Sequence, residues 1–300
     1  MRAVGAFIVS LLLLGPVGPA RALEIQTALG PVSIAVPPRT IAVFDLAAVD
    51  TLAALGVKQQ GLPSNLYLAE LAPLQKGAAK VGTLFEPDLE ALSALGPDLI
   101  ILGGRSSPHL ASVRRVAPAI DMSFSGSDLL AEAKLRLTTY GALFGKEAAA
   151  TALARELDQA IAATRAAAQG KGRALILMAN GPKISAYGPG SRFGWLHSEL
   201  GVPAAAETSA TAVHGEIVSF EFVRKADPDW LIVLDRSAAI GEAGGGAQAT
   251  LANDLVAQTK AGQRGQILYL PPADFYIAAG GISATLRVLA SLKAGFAAAP

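Results

Sequence analysis

The chain has 300 residues, 52% of them hydrophobic and 16% charged, with a formal net charge of +1. That length supports two domains with ample core, and the balanced charge, with no basic run, excludes an electrostatic nucleic-acid binder. Cysteine is absent, which excludes disulfides, a thiol nucleophile, thiolate metal sites and a lipid anchor on an N-terminal Cys.

Residues 1–22 read as a secretory signal. Arg2 is the charged start, residues 6–14 (AFIVSLLLL) are the apolar segment, and Ala20-Arg21-Ala22 is a small-residue cleavage site. The apolar run is shorter than the roughly 20 residues a membrane span requires. Cleavage is expected after Ala22. Without Arg2 and Arg21, 23 basic residues face 24 acidic ones, a net −1. An exported chain without cysteine fits a bacterial periplasm, free of a lipid anchor.

Residues 23–36 (LEIQTALGPVSIAV) alternate enough for a hairpin around Gly30-Pro31. Residues 40–44 read as a short buried strand and 46–55 as a helix stopped by Gly56. Residues 61–79 are loop-rich, with Pro63 and Pro73. Residues 88–105 (DLEALSALGPDLIILGGR) read as a helix, a Pro-Asp turn and a buried strand ending at Arg105. Residues 113–120 turn through Pro118, and residues 127–144 form a helix started by Ser127 or Asp128.

Residues 145–170 predict one long helix, rich in Ala with Leu, Glu, Gln and Arg, between Gly145 and Gly170. At about 1.5 Å per residue it spans roughly 35 Å. Leu153, Leu157 and Ile161 give it a narrow apolar stripe. Alone it reads as a surface helix; its flanks suggest a spine.

Beyond it, residues 173–178 and 183–187 read as strands. Gly188-Pro189-Gly190 is a turn, and Ser191 is expected to cap a helix to about Leu200. Residues 204–211 form a loop, and residues 240–250, rich in glycine, are expected to be mobile. Residues 253–259 are helical, 266–270 a strand and 283–296 the closing helix.

The two flanks resemble each other. Residues 219–236 (SFEFVRKADPDWLIVLDR) align without a gap on 88–105. Glu221 falls on Glu90, Pro228 on Pro97, Asp229 on Asp98 and Arg236 on Arg105. Residues 50–57 and 195–202 make a weaker pair, both ending Leu-Gly-Val. Repetition at this distance implies two like domains rather than a solenoid. The expected architecture is α/β: two Rossmann-like lobes with mainly parallel sheets. They would cover residues 23–144 and 171–300, joined by the 145–170 spine.

The Pro-Asp-Leu-Ile-Ile strand entry, the paired glutamates, the spine and the signal together resemble the periplasmic binding proteins that serve iron–siderophore and cobalamin ABC importers. That resemblance implies a ligand cleft between the lobes, small closure on a stiff spine, and no enzymatic activity. Within it, Gly190-Ser191-Arg192-Phe193-Gly194, Val213-His214-Gly215, Leu234-Asp235-Arg236 and Asp274-Phe275-Tyr276 are similar to the catecholate-siderophore branch. By that resemblance His214 and Tyr276 bind ferric iron directly. Arg105, Arg192 and Arg236 hold catecholate oxygens, and Glu90 and Glu221 dock on the permease. No intrinsic cofactor is implied; Fe(III) arrives as a siderophore complex, and the carrier is expected to be a monomer. That branch is often lipid-anchored through Cys, which this chain lacks.

The chemistry is coherent. Ferric iron favours oxygen donors and accepts imidazole. A bis-catecholate supplies four oxygens, leaving two positions for a phenolate and an imidazole. Free tyrosine ionises near 10, so the cation or nearby guanidinium groups must favour its phenolate. Arginine suits an anionic chelate because its planar fork stays charged. Arg105 and Arg236 end strands, and ligands of open α/β sheets bind beyond strand carboxyl ends. Arg192 is expected to begin a helix, where backbone N–H groups also favour anions.

Each residue also has a plainer reading. His214 alone is a solvated loop histidine, Tyr276 a half-buried aromatic, Arg105 and Arg236 solvated or ion-paired, and the glutamates ordinary helix surface. His109 and His197 read as structural or solvated, and Trp195 and Trp230 as core, with Trp195 able to line the cleft. Cobalamin or haem are alternative ligands of the same fold. An exported α/β hydrolase is less favoured, since G-x-S-x-G, Walker A and H-E-x-x-H are all absent.

Overall fold

The computed structural model describes residues 21–124, 128–208, 214–242 and 246–298. Strands β1 (Arg21–Thr27) and β2 (Gly30–Val36) form an antiparallel hairpin, with Gln26 opposite Pro31. The turn therefore precedes Gly30 rather than surrounding it. Arg21 and Ala22, expected at the end of a removable leader, pair with Val36 and Ala35; residues 1–20 lie outside the described residues.

Strands β3 (Ile41–Val43), β4 (Gly61–Leu62), β5 (Ala79–Lys80), β6 (Leu99–Leu102) and β7 (Ala119–Asp121) form a parallel sheet ordered β5-β4-β3-β6-β7. Strands β8 (Ala174–Asn180), β9 (Lys183–Tyr187), β10 (Glu216–Val218), β11 (Trp230–Asp235) and β12 (Ile267–Tyr269) form a second sheet ordered β10-β9-β8-β11-β12. Here β9 runs antiparallel to both neighbours, because a tight turn joins it to β8. Both central strands are buried on both faces, which suits runs of Leu, Ile and Val. On β6, Leu99 and Ile101 face the main core and Ile100 and Leu102 an outer one. On β11, Ile232 and Leu234 face the main core and Leu231 and Val233 an outer one, as a period of two requires.

The internal repeat is visible atom by atom. Asp88 caps the helix Leu89–Leu95 by accepting from the Glu90 and Ala91 amides, and Ser219 caps Phe220–Ala226 by accepting from the Phe222 amide. Both helices end at aligned left-handed residues, Gly96 (φ 58°) and Asp227 (φ 41°). Asp98 then accepts from the Arg39 and Thr40 amides, 2.8 Å each, just before β3. Asp229 accepts from the Arg173 amide at 2.9 Å, just before β8. Each aspartate fastens the start of the neighbouring central strand. The weaker repeat is local: Gly56 (φ 69°) and Gly201 (φ 72°) turn alike, yet one follows a helix after β3 and the other a helix after β9.

The spine helix is Glu147–Ala168, with Leu157 and Ile161 buried. It is not the sole link between the halves. The closing helix, Ile282–Ala298, packs on it, and Thr164 Oγ1 donates to the Leu289 carbonyl at 3.2 Å. The start of the closing helix is held by the first half. Asp50 Oδ2 accepts from the Ser283 and Ala284 amides at 2.7 and 3.1 Å, and Thr51 Oγ1 from the Ile282 amide at 3.1 Å. Arg287 bridges Asp50 and Asp274.

Two further expectations change. Ser191 does not cap a helix; its hydroxyl donates to the Gly188 carbonyl at 2.7 Å and closes the glycine turn. The helix that follows is only Trp195–Ser198, so Arg192 belongs to the turn, away from any long helix N-terminus. Part of the expected mobile segment is the helix Gly246–Leu251, whose Ala247 amide donates to Asp235; residues 243–245 lie outside the described residues.

Candidate functional site

Parallel strands deliver their carboxyl ends to one side, and the residues that follow them meet there. A cavity of ≈ 450 Å³ opens between the two halves. From the first half, Asp45 follows β3, Gly104 and Arg105 follow β6, and Ser123 and Phe124 follow β7. From the second come Arg192, His214, Tyr276 and Ile277. The cavity thus holds four of the residues expected at the site, from segments more than a hundred and seventy positions apart at the extreme.

Tyr276 is the meeting point. It ends the short helix Pro272–Tyr276, and its carbonyl accepts from Arg105 Nη2 at 3.0 Å and Arg192 Nη2 at 3.5 Å. The guanidinium carbons of Arg105 and Arg192 lie 5.2 and 4.8 Å from its ring centroid. Burial, with the like charge of Arg105, pulls the Arg192 guanidinium below its usual range. Two cations and a phenol in one cleft form an anion-binding surface. His214 is exposed at the same cleft; the residues just before it, including Val213, lie outside the described residues.

Arg236 occupies a different place. It begins the helix Arg236–Ala239, and its Nη1 donates to Asn180 Oδ1 at 3.3 Å. It is not among the residues lining the cavity, although its charge reaches Tyr187. The repeat aligns Arg105 with Arg236, but Gly103-Gly104 extend the chain past β6, whereas β11 runs straight into a helix. Glu90 and Glu221 are exposed second residues of the two repeat helices. Each helix reverses into the following strand, so its N-terminus lies on the side of the strand carboxyl ends.

An aromatic floor supports the second half of the cleft. Phe193 stacks on Phe275 at 4.5 Å and tilts against Tyr187 at 4.7 Å, and Trp195 meets Phe275 at 6.1 Å. Burial pushes the Tyr187 phenol up to about 12, against the opposing charges of Arg192 and Arg236. Trp195 and Trp230 are both core. His197 is buried with Nδ1 2.8 Å from the Val202 carbonyl, and burial lowers its pKa; its role is structural.

Sequence reasoning passed over Asp45, Phe124, Arg136 and Glu199. Asp45 caps the helix Leu46–Ala54 through Oδ1, and burial raises its carboxyl despite Arg136, 3.8 Å away. A strand followed by Phe44-Asp45 and a helix is an N-cap signal that points to this residue. Glu199 reaches from the second half to the helix Leu129–Leu143, accepting from the Leu130 amide at 3.4 Å. Among the described residues no three His, Cys, Asp or Glu cluster as a metal site, and no helix is long and apolar enough to cross a membrane.

Two α/β halves around a charged, partly aromatic cleft define a solute-binding protein. The chain belongs to the periplasmic binding protein family, whose model matches residues 41–273. It is 34% identical over 262 residues to the petrobactin-binding protein YclQ of Bacillus subtilis, covering 86% of this chain and 82% of that protein. The YclQ crystal structure superposes with a TM-score of 0.86, covering 92% of this chain and 99% of that one. The ferric-anguibactin-binding protein FatB of Vibrio anguillarum is 27% identical, covering 91% and 87%. The periplasmic catecholate-siderophore binding protein VctP of Vibrio cholerae is 27% identical with a TM-score of 0.83, covering 91% and 100%.

Proposed function

We propose that the protein captures a ferric siderophore, of catecholate type, in the cleft between its halves and passes it to an inner-membrane ABC importer. The observation that carries this reading is the convergence of Arg105, Arg192, His214 and Tyr276 on one cavity. A ferric bis-catecholate is anionic and planar in its donors. The arginines match its oxygens, and His214 and Tyr276 can complete the six donors that iron seeks. Arg236 joins only by leaving Asn180. Glu90 and Glu221, on the cleft side of each repeat helix, dock on permease arginines. Export by a cleaved leader, the lobe boundaries at residues 144 and 171, and a monomeric carrier complete the reading. It is supported by the names of relatives that bind petrobactin, anguibactin and catecholate siderophores.

The test is titration with a ferric bis-catecholate, read by tryptophan quenching and the visible charge-transfer band. Trp195, packed on Phe275 under the cleft, is the reporter. A band shift lost in Tyr276→Phe and in His214→Ala supports direct ligation. Saturable binding with no shift, unchanged in both variants, removes iron ligation and leaves anion recognition. No binding overturns the function.

A further inference from the structure

Phe124 follows β7 and lines the cleft from the first half. Its ring tip abuts the second half: a Cβ added to Gly280 would lie 2.0 Å from Phe124 Cζ. The Arg136 guanidinium carbon sits 3.3 Å from its centroid. Arg136 is 7% exposed and does not line the cleft, so the cation lies behind the ring as seen from the ligand. Asp45 stands 3.8 Å from Arg136 Nη1 and balances its charge. Among the described residues neither Arg136 Nη1 nor Asp45 Oδ2 has a hydrogen-bond partner, so the guanidinium is held by this ion pair and by the Phe124 ring.

A cation on one face of an aromatic ring draws π density toward itself. The opposite face then prefers an electron-rich ring in an offset stack. Catecholate and phenolate rings are planar and electron-rich; hydroxamate and carboxylate chelates present no such ring. We infer that Phe124, backed by Arg136, is a stacking shelf that selects aryl siderophores over hydroxamates and carboxylates. This rests on the ferric-siderophore reading of the same cleft.

The full chain is titrated with the ferric complexes of a synthetic bis-catecholate and of a linear trihydroxamate. Phe124→Leu keeps apolar bulk but removes the ring. It is expected to weaken the bis-catecholate about 10-fold or more while leaving the trihydroxamate within about twofold of wild type. The paired variant Asp45→Asn/Arg136→Met keeps the ring and removes the charge pair together, so no lone buried charge remains. Because Asp45 lines the cleft, the readout is the ratio: the bis-catecholate is expected to lose about threefold more than the trihydroxamate, and this variant carries the test if the leucine variant fails to fold. Bis-catecholate binding within twofold of wild type in either variant, or an equal loss for both chelates, overturns the shelf. A wild-type protein that binds neither complex overturns the siderophore reading instead.

Discussion

Glu199 links the halves through an ionisable contact, and its charge should set how stability depends on pH. Burial first, then a side-chain hydrogen bond with Asp128, pushes its carboxyl from an ordinary 4.5 to about 7. Arg165 and the Leu130 amide oppose that rise without cancelling it. The folded protein therefore binds this proton more tightly than the unfolded chain. The stabilisation is fully present below about 4.5 and is lost as pH rises through about 7. The whole interval corresponds to about 3 kcal/mol. Glu199 is partly exposed to solvent, so screening reduces this to about 1 kcal/mol. Glu199→Gln can still accept from the Leu130 amide but cannot ionise. Urea unfolding of both proteins from pH 4.5 to 8 should show wild type losing about 1 kcal/mol relative to the variant. Other titrating groups are common to both and cancel in the difference. Parallel stability profiles across that range would refute the assignment.

Asp50→Ala removes the cap of the closing helix and one partner of Arg287. A loss of about 3 kcal/mol is expected by denaturant unfolding. Gly280 and Gly241 both have positive φ, 84° and 70°, but only Gly280 faces a ring at its missing Cβ. Gly241→Ala should cost about 1 kcal/mol, and Gly280→Ala about 2 kcal/mol or more with altered ligand affinity; equal costs would remove the steric argument. Arg105→Ala should weaken ferric bis-catecholate binding about tenfold or more, whereas Arg236→Ala, paired with Asn180 outside the cavity, should weaken it less. Equal losses would return Arg236 to the primary site.

The chain's local rules were open to reading in one dimension. The helix from 147 to 168 follows from alanine-rich propensity and glycine ends. The repeat of cap, Pro-Asp turn and apolar strand predicted two similar βα units, because caps, left-handed stops and alternation are set by near neighbours. Arg105, Arg192, His214 and Tyr276 were named through short motifs, each beside a strand or turn, that resemble the catecholate-siderophore branch. What the motifs left open was where each side chain goes. Arg105 and Arg236 occupy equivalent positions, yet two glycines send one into the cleft and an immediate helix turns the other toward Asn180. Asp50 holding Ser283 spans 233 positions, and the Phe124 contact with Gly280 joins opposite halves. Such pairings are decided by how two sheets and a spine pack, since hydrophobic burial selects an arrangement of whole elements while sequence spacing specifies only each element's face. The sequence determined the parts and their chemistry; the tertiary structure decided which of them meet.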